Sequence, residues 1–231
     1  MAVKNTISDA ALNELNLFIL KHIEPDKNPS SITKKGYDWF YEYFSFIEEV
    51  KIREQLAQAF YQARYVHKLL VALRLSDREM YPFILLELFE YASIFEALTD
   101  YVIEKKYKES EDFQSLCTVT ELVKSASFNH KNGQLFFKKS DTETEELIFA
   151  HYKIKKLQLR DIRFSDRIDY LSKKIVLSKS DLENIKKIYD GRNHIHLLKA
   201  AADDFMPNPK ETAKAFRIVR RFIESVRTNF S

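Results

Sequence analysis

This 231-residue sequence predicts a mostly helical protein, and three observations predict it. Only 3 glycines and 5 prolines are present, too few for the turns of a sandwich, a barrel or a glycine-loop nucleotide fold. Apolar residues make up 45% and charged residues 31%, the balance of a chain that buries its own core. Most apolar residues recur at helical spacing, and a strand pair is signalled at one place.

The elements follow in order. Leu12, Leu15, Ile19 and Ile23 keep helical spacing behind Ser8 as N-cap, which predicts a helix over 8–23. The polar stretch 24–36 carries two prolines and a glycine and reads as a linker. A helical region over 37–75, broken near Lys51, carries Tyr37, Trp39, Phe40, Tyr41, Tyr43, Phe44 and Phe46, a load that reads as core or interface. Ser76 and Asp77 restart the chain. Pro82 sits early in a helix over 79–108 that is apolar around most of its circumference, and so central, with Glu87, Glu90 and Glu96 interrupting it. A short helix is expected over 110–126. Asn132-Gly133, between Phe128 and Leu135-Phe136-Phe137, signals a β-hairpin at about 127–139. Helices are expected from Thr142 to about Leu159, from Ser165 over the next ten residues, and over 181–201 behind Ser178 or Ser180. Asn208 caps and Pro209 opens a last helix that runs nearly to the end. The fold class is therefore all-α, with 1–75 as an N-terminal helical extension, 76–231 as a helical domain, and one small hairpin inserted.

Several function classes are excluded. No apolar stretch reaches the roughly 18–20 residues of a membrane span. The first residues, MAVKNTISDAALNEL, lack a secretory core, and Cys117 is alone, so neither a disulfide framework nor a cysteine zinc site is available and a cytoplasmic setting is expected. There is no GxxxxGK[ST], GxGxxG or HExxH, and His22, His67, His130 and His151 stand at no motif spacing, so no cofactor and no metal are expected. The net charge of +3 conceals an asymmetry. Residues 151–231 hold 19 Lys/Arg against 10 Asp/Glu, a net of +9, and residues 1–150 carry −6. That split suits an anionic partner for the C-terminal part, or attraction between the two parts.

The segment DLENIKKIYDGRNHIHLLKAAADDF carries the chemistry. Its apolar stripe steps through Leu182, Ile185 and Tyr189, and the next two steps land on Arg192 and His196. A guanidinium and an imidazole thus fall on one helix face where Leu or Ile is expected. Gly191, costly inside a helix, suggests a kink or a close backbone approach. Burying Arg192 unpaired costs several kcal/mol, so either a carboxylate of the central helix, Glu96 or Glu90, satisfies it, or the stretch lines a wet cleft. On the last helix Lys210, Lys214, Arg217 and Arg221 follow at steps of four, three and four, a cationic strip that either tracks an RNA backbone or is simply a solvated face. Lys153, Lys155, Lys156, Arg160 and Arg163 form a second basic run.

Arg192-Asn193-His194-Ile195-His196, reached through FSDRIDYLSKKIVLSKSDLENIKKIYDG, resembles the signature of the HEPN superfamily (higher eukaryotes and prokaryotes nucleotide-binding domains). YASIFEALTDYVIEKKY is similar to that family's other long core helix, and the resemblance spans about 80–230. Three residues separate Arg192 from His196, where the family places four to six. The resemblance implies an antiparallel helical bundle that forms a homodimer with two motifs facing one cleft. It further implies RNA as partner and metal-independent endoribonuclease chemistry in a toxin–antitoxin or phage-defence setting, with an antitoxin or other partner protein. His196 would exchange a proton with the 2′-hydroxyl or the leaving oxygen, Arg192 would stabilise the pentacoordinate phosphate, and Asn193 would orient it. A non-catalytic module that binds RNA, nucleotide or a partner protein, and a helical interaction scaffold, are the competing readings.

Overall fold

A computed structural model describes residues 9–22, 37–75, 79–124, 134–139, 145–192 and 209–230. Among them are eight helices and one antiparallel sheet. The chain divides into two compact units, Met1–Tyr101 with Leu171–Ser231, and Val102–Tyr170. The boundary expected at 75/76 lies inside the first unit.

The first unit is helical. It holds α1 (Asp9–His22), α2 (Tyr37–Tyr43), α3 (Val50–Ala72), α4 (Tyr81–Val102, whose last residue falls across the division), α7 (Lys179–Arg192) and α8 (Pro209–Phe230). The expected break in 37–75 is the turn between Phe44 and Glu49. Without a glycine, α3 still ends in a left-handed residue: Arg74 takes φ 49°, the Leu75 N–H donates to the Leu70 carbonyl and the Arg74 N–H to that of Val71. This pair of bonds satisfies carbonyls that the helix end leaves open.

Of the aromatic residues expected as core or interface, Phe40, Tyr43 and Phe44 are buried, and Tyr37, Trp39, Tyr41 and Phe46 are half-buried. Phe40, Phe44 and Phe60 are at most 1% exposed, Trp39 stacks on Tyr43 at 5.0 Å, and Phe40 meets Phe60 edge-on at 5.3 Å. Helix α8 closes this core because its apolar residues share one stripe. Ala215, Ile218, Val219, Phe222, Ile223 and Val226 are all buried, and Phe222 packs on Phe95 of α4 at 5.4 Å. The Tyr43 hydroxyl donates to Glu224 of α8 at 2.7 Å, and burial with that bond pushes the phenol up to about 12.

The second unit corrects several expectations. The helical run expected to about 108 ends at Tyr107, but its last turn, Ile103–Tyr107, is π-helical. The helix expected over 110–126 is α5 (Glu111–Leu116) and then a strand, β1 (Thr118–Lys124). The helix expected over 142–159 is instead strand β3 (Glu145–Lys156). The hairpin expected at about 127–139 contributes β2 (Gln134–Lys139), but β2 pairs with β3, and 127–133 lies outside the described residues. The sheet is three-stranded, in the order β1-β3-β2. A short 3-10 turn, Leu159–Asp161, leads into α6 (Phe164–Ser172), whose last two residues belong to the first unit. Ile103, Phe113, Cys117, Ile162 and Tyr170 form this unit's core. The Tyr170 hydroxyl ties α6 to α5 by donating to Asp112 at 3.0 Å.

Candidate nucleic-acid interface

Helix α7 starts where the Ser178 hydroxyl accepts from the Asp181 N–H at 3.0 Å, one of the two caps that the sequence offers. Its stripe turns inward as the spacing requires. Ile185 is fully buried and Leu182 and Tyr189 are half-buried. Gly191 is buried, yet among the described residues a Cβ there would meet nothing within 4 Å, so none of them makes the close backbone approach.

Arg192, at the end of that stripe, closes a ring of three side chains. Its Nη1 donates to Glu96 Oε2 of α4 at 2.6 Å and its Nη2 to the Tyr189 hydroxyl at 2.8 Å, while that hydroxyl donates to Glu96 Oε1 at 3.0 Å. The guanidinium also lies over the Tyr189 ring, 4.4 Å from its centroid. Both carboxylate oxygens and the phenol are thereby engaged, and the Arg192 and Glu96 side chains keep 26% and 28% exposure. Of the two candidate acids, Glu96 is the one that meets Arg192. Glu90 faces a separate depression with Tyr61, Tyr65 and Leu86, where burial pushes its carboxyl up. Asn193 and His196 lie outside the described residues.

The cationic strip of α8 is exposed along its length: Lys210, Lys214, Arg217 and Arg221 all face outward. Helices α7 and α8 pack together; one depression opens between them, and a second between α8 and residues 174–181, the segment that leads into α7. One, of about 200 Å3, has Lys187 and Gly191 on the α7 side and Lys214 and Glu211 on the α8 side. The other is a groove of about 850 Å3, with Lys174, Arg217, Arg220 and Arg221 against Asp181 and Glu224. Its wall is pinned by the Ser225 hydroxyl donating to the Val176 carbonyl at 2.6 Å and by the Asn229 amide donating to that of Lys174 at 3.2 Å.

Both acids in the groove are engaged. Arg221 grips Asp181 through two bonds, 2.5 and 3.1 Å, and holds that carboxyl below its usual 3.8. Glu224 accepts from Tyr43 and from Arg227 at 2.9 Å. Lys187, Lys214 and Arg217 have no acidic partner among the described residues. Of the strip, then, Arg221 is largely neutralised, while Lys214 and Arg217 keep their charge for an anion.

Two participants escaped the spacing argument. Tyr189 is a hydrogen-bonding partner as well as stripe; the signal was its place three residues before an arginine. Farther along α3 and α4, His67 is not isolated: its Nδ1 lies 3.2 Å from Glu87 Oε2, and the buried Tyr91 hydroxyl donates to Glu87 Oε1 at 2.9 Å. Glu87 is 0% exposed, and a carboxylate in a helix that is apolar all round was the sign that partners had to exist.

Among the described residues no three His, Cys, Asp or Glu side chains converge as a metal site, and no helix is long and apolar enough to cross a membrane. Compared with known proteins, the chain matches no family model, no curated protein and no solved structure.

Proposed function

We propose that this chain is a HEPN-like, RNA-directed helical protein whose α7–α8 seam takes a phosphate backbone and whose Arg192 holds the motif-bearing helix to the central one. The observation that carries the reading is the row Lys187, Lys214 and Arg217. These cations border the seam depressions and have no acidic partner among the described residues. Ordered cations with no internal acid gain most from releasing a polyanion's counterions. Arg192 is spent differently: Glu96 neutralises it, and a phosphate would have to displace that carboxylate. A second copy and a partner protein belong to the same reading, supported by Leu86 and Phe89, which α4 leaves 46% and 37% exposed.

The endoribonuclease is the second reading, favoured by one observation. The Arg192 side chain keeps 26% exposure at the end of α7, directly before Asn193, so a substrate phosphate has access to it. In that chemistry His196 moves the proton and Arg192 meets the developing charge.

Fluorescent single-stranded RNA titrated in EDTA at several salt concentrations separates the two. The expected result is salt-sensitive binding with intact RNA. The double variant Lys214→Glu/Arg217→Glu should lower the slope of log K against log salt by about 1.4, at about 0.7 for each lost contact to a single strand. Cleavage leaving 2′,3′-cyclic ends, abolished by His196→Ala and Arg192→Ala in folded protein, would transfer the assignment to the nuclease. An unchanged slope in the double variant would remove the seam from consideration.

A further inference from the structure

A depression of about 310 Å3 is framed by Tyr61, Gln62, Tyr65 and Val66 of α3 and by Leu86 and Glu90 of α4. Residues four apart share a helix face, so the spacing sets the two tyrosines together and Glu90 beside Leu86. The Tyr61 and Tyr65 ring centroids lie 6.1 Å apart. Tyr61 is held in place, edge-on to Tyr37 at 6.0 Å and to Phe40 at 5.7 Å. Tyr65 has no other ring contact and no hydrogen bond among the described residues. Val66 is buried, whereas Leu86 is 46% exposed.

Charge names the occupant. Glu90 is half-buried and has no hydrogen bond or ion pair among the described residues. Burial pushes its carboxyl up, and no cation among those residues offsets the cost. Glu96, on the same helix, has Arg192 for that purpose. Both depressions beside α8 are bordered by lysine; the described lining of this one holds neither lysine nor arginine. A carboxylate so placed gains most from a cation that brings little water with it. A hard metal ion takes about six oxygen ligands, which walls of rings and aliphatic carbon do not supply. A methylated ammonium spreads its charge over methyl groups and is attracted to the faces of tyrosine rings. The volume suits a small molecule, at the lower end of the roughly 300–1,000 Å3 of ligand pockets.

We infer that the α3–α4 depression binds the methylated ammonium group of a small molecule, with Glu90 as counter-ion and Tyr61 and Tyr65 as aromatic walls. The site is independent of the RNA-directed reading and shares no residue with the seam. Choline is the probe, and its neutral carbon analogue, 3,3-dimethylbutan-1-ol, has the same shape without the charge. Ligand-observed NMR titrations of the full chain at constant ionic strength should show choline binding roughly ten-fold tighter than the analogue. Glu90→Gln should weaken choline by roughly ten-fold and leave the analogue unchanged. Tyr65→Ala should weaken choline as well, and Tyr65→Phe, which keeps the ring, should not.

If choline does not bind, or binds no better than the analogue, the inference falls and the seam reading is untouched. Unchanged choline binding in Glu90→Gln would place the cation elsewhere and overturn it. Glu90→Gln should also keep the parent's Tm; a lower Tm would show that the carboxylate serves the fold and not a ligand. An oligomer that Glu90→Gln dissociates, and that choline does not, would assign the depression to a basic side chain of a second copy and overturn the inference. The unmutated chain decides the matter if Tyr65→Ala misfolds. Nuclear Overhauser contacts from the choline methyls should reach the tyrosine ring protons whose signals change in Tyr65→Phe. Contacts confined to other residues would refute the site.

Discussion

Arg192 shows what a polar residue on an apolar stripe requires. Its two terminal nitrogens serve two acceptors, Glu96 and Tyr189, and Tyr189 passes a third hydrogen bond back to Glu96. A charge-assisted bond of this kind is worth more than a neutral one, but both charged side chains keep about a quarter of their surface in water, which screens the attraction. Arg192→Ala is therefore expected to cost about 1–2 kcal/mol in urea unfolding, and a double-mutant cycle with Glu96→Gln to give about 1 kcal/mol of coupling. Arg192→Lys keeps the charge but not the planar fork, and should recover less than half of the loss. If Arg192→Ala unfolds at the parent's midpoint, the guanidinium is not a staple and is free for a phosphate. Glu87 is the contrasting case: fully buried, it depends on His67 and Tyr91 with no water to help.

At the scale of elements, the α7–α8 packing has an electrostatic clasp, the Asp181–Arg221 pair, at the start of α7. Arg221 holds Asp181 below its usual 3.8, so the folded protein binds that proton more weakly than the unfolded chain. The stabilisation is complete above the unfolded value and is lost as pH falls through and below it. Asp181→Asn should lower Tm at pH 6–7, and its difference from the parent should shrink progressively as pH falls below 3.8. A constant difference across that range would show that the pair's charge is irrelevant. Elements of this kind were legible in the sequence where local signals sufficed: Ser178 before α7, Pro209 opening α8, and the stripe that puts Ile185, Phe222 and Val226 inside. The sheet was not. Glu145–Lys156 offers Leu147, Ala150 and Ile154 to a helical count and Ile148, Ala150, Tyr152 and Ile154 to an alternating one. What decides is pairing with β1 on one side and β2 on the other, and no local pattern contains that long-range term. The Glu96–Arg192 pairing was legible as a need, because a guanidinium on a stripe demands an acid. The choice of Glu96 over Glu90 waited on the packing of α7 against α4.

For the molecule as a whole, the chain order matters more than the helix count. The first unit is discontinuous, built from both ends of the sequence, and the second is a continuous insert, Val102–Tyr170. Each has its own buried aromatics: Phe222, 0% exposed, in the first, and Phe113, 2% exposed, in the second. Trp39 is the single tryptophan and lies in the aromatic cluster of the first unit, so its fluorescence reports that unit alone. Emptying either core should cost about 3–5 kcal/mol where the ring was removed. Phe222→Ala is accordingly expected to move the Trp39 unfolding midpoint to lower urea by most of that amount. Phe113→Ala should weaken the insert, read as hydrogen-exchange protection of the Thr118–Lys124 and Glu145–Lys156 amides, and shift the Trp39 midpoint far less. An insert with a core of its own can be lost by local unfolding while the helical unit persists, which is how a segment becomes adjustable without endangering its host. Equal shifts of both signals in both variants would instead mean one cooperative unit, in which losing the Phe113 ring is felt at Trp39 as strongly as losing Phe222.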